Sequence, residues 1–574
     1  MDNQRLLIWA FFAMMAWLTW QTWQQDFGPQ PAAPPAGQAT ETEAVPAVPA
    51  MPAGDDDIPE LSAEGASEAV LPQAPAEASQ PAAAAVTVRT DVFDIQISTA
   101  GGTLLGATLP EYPVAKDRPD EPVTLLDDAV GGNYGLIESG MRAADGGAEA
   151  THLVIFSAAQ TSYDLGGADE IVVPLTWTDA SGVTVEKRFT FRRGSYRIDL
   201  EQVVSNNSGE AWRGAEYVRI KRHSAEQERS MFDVDSYSFI GPVIFDGEKS
   251  EKLKRDDLLD DGPYQYSSQR GWLASIQHHF VRAIVPTPGV DYRYTVAVSG
   301  DQATSTAMRR NLTAIAPGST ETFATTLFVG PKLQSQLEEI DKKLKLTVDY
   351  GWLTILSQPL FWLLSFVHGF VANWGVAIIA VTFLIKLAFY KLTESSGRSM
   401  AKMRQIQPRM KALQDRYKDD RQALSQAMMD LYKREKVNPA AGCLPILIQM
   451  PFFLAFYWVL LESVEMRQAP FALWITDLST RDPYFILPVI MGAAMLIQQR
   501  LNPAPTDPVQ ARVMQIMPIM FTVFFAFFPS GLVLYWVTNT VLSIAQQWNV
   551  NRVVEAEAKA KKGGQKGGQK KKDA

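Results

Sequence analysis

Cysteine is almost absent from this sequence: Cys443 is the only one in 574 residues. A single thiol excludes a disulfide framework and any cysteine-based zinc site within one chain. Common enzyme motifs are missing too, since the sequence has no Walker loop, no GxGxxG opening a helix, no HExxH and no GxSxG. We therefore expect no covalent catalysis, no metal and no cofactor, and we assign no catalytic role to the paired His278 and His279.

Aromatic residues are missing from residues 28–85, which are rich in proline, alanine and acidic side chains. Such a segment cannot bury enough apolar surface to offset its chain entropy, so we predict a disordered linker over residues 26–85. Before it, residues 6–23 contain no charge over 18 positions, which is near the minimum for a helix that spans a membrane. We predict an uncleaved anchor over residues 1–25, with a cleaved signal peptide as the alternative.

Net charge is modest for the whole chain, −10, but it is unevenly distributed. Residues 1–350 carry 28 Lys and Arg against 49 Asp and Glu, which gives −21. Residues 351–574 carry 25 against 14, which gives +11. An average composition typical of a soluble acidic protein therefore hides two unlike regions.

Short runs of alternating apolar residues, separated by turn-forming residues, fill residues 86–330; one run is Val183, Val185, Phe189 and Phe191. A period of two over this length predicts a large antiparallel β-sandwich. Apolar residues spaced three to four apart over 333–344 predict one closing helix. We place the domain at residues 86–347.

The chain beyond residue 350 has the pattern of a polytopic α-helical membrane protein. Residues 352–390 would be about 58 Å long as one helix, roughly twice the hydrocarbon thickness, so we expect a break near Asn373 and Gly375. We predict an interfacial amphipathic helix over residues 352–372 and a five-helix core over residues 373–550. The core spans are expected at about 374–391, 444–461, 484–500, 512–528 and 531–550, which makes six transmembrane helices with the anchor.

Positive charges set the expected orientation. Residues 398–437 hold eleven Lys or Arg and the tail, 551–574, holds eight. Because loops rich in Lys and Arg stay in the cytoplasm, we expect both termini there and the acidic β-rich domain on the other side. Two helical patterns predict a helical hairpin over 398–437, which either touches a partner or is simply solvated. The end of the tail, residues 559–574, is too rich in Gly and Lys to fold, and it can bind anionic lipid or ribosomal RNA.

Lys386 is the most informative single residue, because it lies inside a predicted span. A lysine at the centre of a span costs about 2.5–3.5 kcal/mol on insertion scales, so it should face a protein interior or a water-filled cavity. Thr382, one turn earlier, favours a hydrated pocket, whereas snorkelling of Lys386 to the nearby interface is the alternative. Gln449 and Gln515 are further polar residues within spans that either line this cavity or join helices.

Several runs in the second half resemble those of the YidC/Oxa/Alb family of membrane protein insertases, in its Gram-negative form. They are SMAKMR (399–404), EKVNPAAGCLPILIQMP (435–451), RQAPFALWITDLS (467–479) and FPSGLVLYWV (528–537). The resemblance covers residues 350–550, and the anchor, linker and large β-domain fit the same form. It implies an inner-membrane protein with a periplasmic β-domain and a hydrophilic groove, enclosed by five spans and open to the cytoplasm and to lipid.

The resemblance also implies the groove residues and the partners. The family usually has Arg where this chain has Lys386, and Lys keeps the charge but loses the planar fork. A Tyr pair near the start of the last span reads Tyr535-Trp536 here. The implied partners are nascent membrane proteins, the Sec translocon, membrane lipids, and a ribosome and targeting factor that dock on the hairpin and tail.

The expected function is therefore insertion of transmembrane segments, alone or with the Sec translocon. A transporter or channel subunit is the alternative, although the sequence shows neither a relay of intramembrane carboxylates nor inverted repeats. A third hypothesis makes the β-domain an anchored sugar enzyme, since it resembles carbohydrate-binding sandwiches, but a fold alone does not establish that function.

Overall fold

The computed structural model describes residues 58–59, 61, 83–129, 134–224, 238–417, 420–435, 444–501 and 508–570. The predicted anchor, 1–25, lies outside these residues, as does most of the linker, 26–85. Residues 405–435 fall in one compact unit and the other described residues in a second.

The region from Ala85 to Pro331 is built of β-strands in two sheets. The first sheet has eleven strands in the order β14-β17-β18-β11-β5-β3-β2-β1-β7, with β19 beside β11 and β4 beside β3. The second has nine, in the order β13-β12-β15-β16-β20-β10-β9-β8-β6. The strands are β1 Ala85–Arg89, β2 Asp94–Ser98, β3 Leu104–Ala115, β4 Arg118–Leu126, β5 Gly135–Ala143, β6 Ser157–Ala158, β7 Ser162–Asp164, β8 Glu170–Thr178, β9 Val183–Arg192, β10 Arg197–Asn206, β11 Trp212–His223, β12 Gly241–Phe245, β13 Ser250–Lys252, β14 Tyr264–Ser268, β15 Trp272–Gln277, β16 Phe280–Pro286, β17 Tyr292–Ser299, β18 Gln302–Arg309, β19 Thr313–Ile315 and β20 Ser319–Pro331.

Alternation of apolar and polar residues produces these strands. In β9, Val183, Val185, Phe189 and Phe191 are buried while every second neighbour is partly exposed. The expected antiparallel pairing holds throughout both sheets except between β1 and β7, which are parallel. Side chains from both sheets join one cluster of buried residues, so the two sheets share a core.

Strand β10 pairs with two strands that lie at very different distances along the chain. Its partner on one side is β9, which directly precedes it. On the other side β10 pairs with β20 over its full length, from Arg197 opposite Phe328 to Asn206 opposite Ser319. The centre of the nine-stranded sheet therefore joins segments about 110 residues apart.

Helices dominate the chain after β20. They are preceded by one short helix within the β-rich region. The helices are α1 Arg255–Asp260, α2 Gln334–Ile340, α3 Thr354–Val371, α4 Trp374–Ala388, α5 Tyr390–Arg416, α6 Arg421–Arg434, α7 Leu444–Glu462, α8 Ile486–Leu501, α9 Pro508–Phe525 and α10 Ser530–Lys570.

The closing helix expected over 333–344 covers fewer residues than the apolar spacing that predicted it. Helix α2 ends at Ile340, and Leu344–Thr347 forms a separate 3-10 turn. Asp341 between them has extended backbone angles, and its carboxylate accepts a hydrogen bond from the Lys343 amide at 2.6 Å. An aspartate that bonds the backbone locally competes with helix continuation, which the apolar spacing does not reveal.

The expected break near Asn373 is confirmed. Helix α3 ends before Ala372, which has a left-handed φ of 49°, and Asn373 caps α4 by accepting a hydrogen bond from the Val376 amide at 3.0 Å. Asn373 Nδ2 also donates to the carbonyl of Phe471 at 2.9 Å, which ties the start of α4 to the loop after α7. A Cβ at Gly375 would lie 2.1 Å from the Phe471 ring, so this contact requires glycine.

One helix among the described residues, α3, is both long and apolar enough to cross a membrane. Helices α4 and α5 pass the same test only as a pair, and they are bent by 69° at the break between them. Shorter apolar helices cover Gln449–Glu462, Ile486–Leu501 and Arg512–Phe525. Helix α3 coincides with the segment for which we predict an interfacial position, and that position stays a prediction.

The expectation that the end of the tail does not fold is wrong for residues 559–570, because α10 continues to Lys570. Val550 and Val554 pack against Ala401, and Arg398 forms an ion pair with Glu557 at 3.0 Å. A helix that has already formed gains one hydrogen bond for each added residue, so these contacts extend α10 beyond its apolar part.

The unit of residues 405–435 contains the end of α5 and all of α6, and the hairpin over 398–437 stays a prediction. Asp420 caps α6 by accepting hydrogen bonds from the amides of Gln422 at 3.0 Å and Ala423 at 2.9 Å. Arg409 forms an ion pair with Glu435 at 2.5 Å. The first helix starts earlier than the predicted hairpin boundary, since α5 begins at Tyr390.

Described residues of the linker contact the first sheet. Arg142 donates a hydrogen bond to the carbonyl of Pro59 at 2.9 Å, and Leu61 packs against Tyr217 and Met308. The proline- and alanine-rich composition did not predict these contacts.

The β-rich region is joined to the end of α7 by buried polar contacts. Lys332, directly after β20, lies 3.8 Å from Glu462, and their side chains are only 1% and 2% exposed. Ser238 donates a hydrogen bond to the other carboxylate oxygen of Glu462 at 2.8 Å. Farther along, Arg467 donates to the carbonyls of Pro113 at 2.7 Å and Val114 at 3.0 Å. We call this set of contacts the junction.

Candidate functional site

Lys386 lies on the buried side of α4 and is only 8% exposed. Its Nζ donates a hydrogen bond to Ser543 Oγ on α10 at 2.7 Å. Ser543 Oγ in turn donates to the carbonyl of Asn539 at 2.7 Å, so the hydroxyl accepts from the lysine and donates to its own helix. Among the described residues, Lys386 forms no ion pair with a carboxylate. A serine hydroxyl, not an acidic group, therefore faces this charge.

Two further amides extend this polar contact to a third helix. Gln449 Nε2 on α7 donates to Asn539 Oδ1 on α10 at 3.3 Å. Lys386, Ser543, Asn539 and Gln449 thus form one line of polar groups across α4, α10 and α7, which we call the polar seam. Polar side chains at such a convergence avoid lipid and offer hydrogen bonds inside an otherwise apolar bundle.

Thr382 is 1% exposed and lies one turn before Lys386 on the same side of α4. Its hydroxyl donates to the carbonyl of Ile378 at 2.6 Å. This bond uses the hydroxyl's proton within its own helix, and the short side chain of the threonine occupies little volume beside the lysine. Thr382 therefore lies at the edge of the polar seam.

Aromatic side chains occupy the turn of α10 that precedes the polar seam. Phe453 on α7 lies over both Tyr535 and Trp536, with ring centroids 5.9 Å and 4.6 Å away. Residues 535, 539 and 543 recur every four positions, so they share one face of α10 over about 12 Å. That face changes from aromatic to polar along its length.

Comparison with known proteins identifies the family to which this arrangement belongs. Residues 366–558 match the family model described as "60Kd inner membrane protein", and residues 85–363 match the "YidC periplasmic domain". A membrane protein insertase YidC of Thioalkalivibrio sulfidiphilus is 48% identical over 88% of this chain and 90% of its own length. The chain belongs to the YidC family. Another relative with the same name, from Nitrosococcus oceani, is 47% identical over 86% of this chain and 92% of its own.

The family assignment covers both halves of the molecule. The β-rich region matches the periplasmic domain of YidC, and the helical region matches the inner-membrane part. The resemblance of the short motifs between residues 399 and 537 is thereby confirmed. A solved structure of an active YidC insertase is matched over 81% of this chain at 18% identity and a TM-score of 0.36, too low to add to the assignment.

Of the sequence-predicted groove residues of this YidC protein, the polar seam contains Lys386 and Gln449, with Thr382 beside it. Tyr535 and Trp536 lie on the adjoining turn of α10. Gln515, on α9, is exposed, and no hydrogen bond among the described residues joins it to the seam. Its place in a groove stays a prediction.

Ser543 is the residue that sequence reasoning missed. It is the direct partner of Lys386, yet the two are 157 positions apart. The sequence does contain a usable pattern, because Asn539 is an amide within the last predicted span and Ser543 follows it by one helical turn. Serine within an apolar helix is common enough that this spacing did not distinguish it. Among the described residues, no group of His, Cys, Asp and Glu could hold a metal ion.

Proposed function

We propose that this YidC protein inserts transmembrane segments of nascent proteins into the bacterial inner membrane through a hydrated, positively charged groove centred on Lys386. The observation that carries the proposal is the partner of Lys386. Its Nζ contacts a hydroxyl, and among the described residues no carboxylate neutralises it at short range. A positive charge without a fixed counter-ion is available to attract acidic residues of a translocated segment.

The polar seam explains how a polar segment could enter the membrane. Moving polar groups from water into hydrocarbon without hydrogen bonds costs several kcal/mol per group. Lys386, Ser543, Asn539 and Gln449 offer donors and acceptors along the path, so a hydrated groove at this position lowers that cost. No covalent step and no ATP are needed, and we propose insertion without catalysis of a chemical reaction.

The apolar part of the substrate would leave the groove along the apolar surface of α7 and α9. Helix α9 exposes a stripe of large apolar side chains, namely Ile516, Ile519, Met520 and Val523. Such a surface resembles lipid, so an apolar substrate helix can slide along it and partition into the bilayer, and this partition supplies the driving force.

The topology belongs to the same proposal. Six transmembrane helices, with five in the core, would leave both termini in the cytoplasm and the β-domain, as an antiparallel sandwich, in the periplasm. The hairpin 398–437 and the tail 551–574 would receive the substrate and dock the ribosome or its targeting factor. Their eleven and eight basic residues support contact with ribosomal RNA or anionic lipid. The protein would act alone or together with the Sec translocon.

The test is insertion of a one-span substrate with an acidic translocated end into proteoliposomes that contain the full-length protein. We expect Lys386→Glu to reduce insertion at least about tenfold, since it reverses the attracting charge, and Lys386→Arg to keep most of it. A substrate whose translocated end lacks acidic residues is the matched control and should respond far less.

Equal insertion by Lys386→Glu and Lys386→Arg would contradict the role of the charge and would favour a snorkelling lysine. The same vesicles also test the transporter or channel alternative. Solute flux in the absence of substrate insertion would overturn the insertase proposal itself.

A further inference from the structure

A large basic cavity lies at the junction, outside the polar seam. It has a volume of about 910 Å³, and it lies between the β-rich region and the loop that follows α7. Its lining contains five Lys or Arg side chains against two Asp, Asp117 and Asp477. The basic residues are Lys116, Arg222, Arg282, Arg467 and Arg481, with His223, His278 and His279 beside them.

Arg282 is the buried cation at the centre of this site. It is 3% exposed, and within the part of the chain that the structure describes its Nε and Nη1 have no hydrogen-bond partner. Its guanidinium reaches from β16 to the first sheet, where a Cβ on Gly135 would come within 3.3 Å of Arg282 Cζ. The absence of a side chain at Gly135 leaves room for the guanidinium. A buried charge without a partner is costly, so it points to a ligand that completes it.

Arg222 adds a second guanidinium near the first. It reaches from β11 in the opposite direction, donating to the carbonyl of Ile276 at 2.7 Å and to Ser275 Oγ at 3.2 Å. Burial, and then the charge of Arg222, hold the pKa of Arg282 well below its usual value. The two arginines therefore repel each other, and because both side chains are largely buried water screens this repulsion poorly; an anion bound between them would turn it into attraction.

The remaining polar groups favour an anion with several acceptor oxygens. His279 lines the same cavity and is buried, and its Nδ1 has no hydrogen-bond partner among the described residues, so it can supply a further donor. Asp477 forms no ion pair with Arg222 or Arg282 among the described residues; its Oδ1 accepts hydrogen bonds from the amides of Gln468 at 3.0 Å and Ser479 at 2.8 Å. A phosphate group has enough oxygens to accept hydrogen bonds from the unpaired N–H groups of a guanidinium and from a further donor at the same time.

We infer that the cavity at the junction binds a phosphate-bearing ligand, whose phosphate is held by Arg282, with Arg222 and His279 beside it. The volume leaves room for an organic group attached to the phosphate. The wall formed by the loop after α7 continues directly from an apolar helix, so a phospholipid headgroup and a soluble phosphate ester both fit this chemistry. This site is independent of the polar seam and of Lys386.

The test uses the full-length protein in neutral detergent, titrated by calorimetry with sn-glycerol 3-phosphate and with inorganic phosphate. We expect saturable binding that Arg282→Gln weakens by at least about tenfold, the usual effect of losing a hydrogen bond to a charged group. Arg282→Lys keeps the charge without the fork and should also weaken binding. Arg293→Gln, on β17 and outside the cavity lining, is the matched control and should bind within about twofold of the native chain.

A second arm distinguishes the source of the phosphate. Native mass spectrometry of the protein from nanodiscs should show one retained phosphatidylglycerol, lost in Arg282→Gln, if the ligand is a lipid. Retention of no lipid together with binding of glycerol phosphate would assign a soluble ester. Either result supports the phosphate site.

Three results would overturn the inference. The first is absence of phosphate binding in both arms. The second is tighter binding of an acidic peptide than of any phosphate. The third concerns residues 225–237, which contain Glu226, Glu228, Asp233 and Asp235. Phosphate binding that appears only after these four are changed to amides would mean that the chain's own carboxylates neutralise Arg282.

Discussion

The buried pair of Lys332 and Glu462 should hold the periplasmic domain on the end of α7. Both side chains are almost fully buried, and among the described residues Glu462 accepts one further hydrogen bond, from Ser238. Lys332→Met leaves the carboxylate buried with that single neutral donor. Removing one partner of a buried ion pair costs about 3–5 kcal/mol. The 3.8 Å separation between Lys332 Nζ and Glu462 Oε2 is long for a hydrogen bond, so we expect about 3 kcal/mol, the lower end.

Hydrogen exchange of the full-length protein in detergent measures this cost locally. The Lys332 amide donates to the carbonyl of His279 at 2.9 Å and the Ser463 amide to that of Val459 at 3.2 Å, so both amides report opening of the junction. A loss of about 3 kcal/mol corresponds to about 150-fold faster exchange through such opening. Lys332→Met with Glu462→Gln removes both charges and should recover most of the protection.

An exposed pair in the same segment provides the control. Lys345 and Glu338 also form an ion pair, but their side chains are 30% and 46% exposed. Lys345→Met should change exchange at the junction by less than about fivefold, because exposed pairs contribute at most about 1 kcal/mol. The reasoning is refuted if Lys332→Met accelerates exchange no more than Lys345→Met does, or if the double variant is as unprotected as the single one.

Two further changes test the helix break and a buried lysine. Asn373→Ala removes the cap of α4 and the bond to the Phe471 carbonyl, and should cost about 1–2 kcal/mol in denaturant unfolding, whereas Asn373→Asp keeps the acceptor for Val376 and should cost less. Equal losses would show that the cap contributes nothing. Lys187 is fully buried in the β-domain, and burial lowers its pKa to about 7. Between pH 7 and its ordinary value of 10.5 the unfolded chain binds a proton that the folded chain lacks, so stability should rise with pH by up to about 1.4 kcal/mol per unit. In Lys187→Met, thermal midpoints measured from pH 7 to 10 should lose this rise, and an unchanged pH profile would contradict the assignment.

The sequence predicts local features well where neighbouring residues decide them. The strands around Val183 and Phe191 follow from a period of two, and the break at Asn373 follows from length and a capping residue. The end of α2 at Ile340 was not predicted, because the apolar spacing continues to Leu344 although Asp341 interrupts the helix. The continuation of α10 to Lys570 was not predicted, because this part of the helix packs against Ala401, which is far away in the sequence.

The candidate site shows the same division between local and distant information. A lysine within an apolar run identifies Lys386 without any structure, because its cost in lipid is large. Its partner Ser543 could not be predicted, since packing of α10 against α4 decides which of several polar residues meets the lysine. The junction is harder still. Lys332, Glu462 and Arg282 look like ordinary surface charges in sequence, and only tertiary burial makes them distinctive.

The pairing of β10 with β20 has a consequence for synthesis of the chain. About 110 residues separate Asn206 from its partner Ser319, and ribosomes add about 5–20 residues per second, so β10 waits roughly 6–23 s for β20. During that interval one edge of β10 is an unpaired template for any other strand. The nascent periplasmic domain therefore depends on protection of that edge until Ser319–Pro331 has crossed the membrane, and slower translation of the intervening segment would raise the yield of aggregated chain.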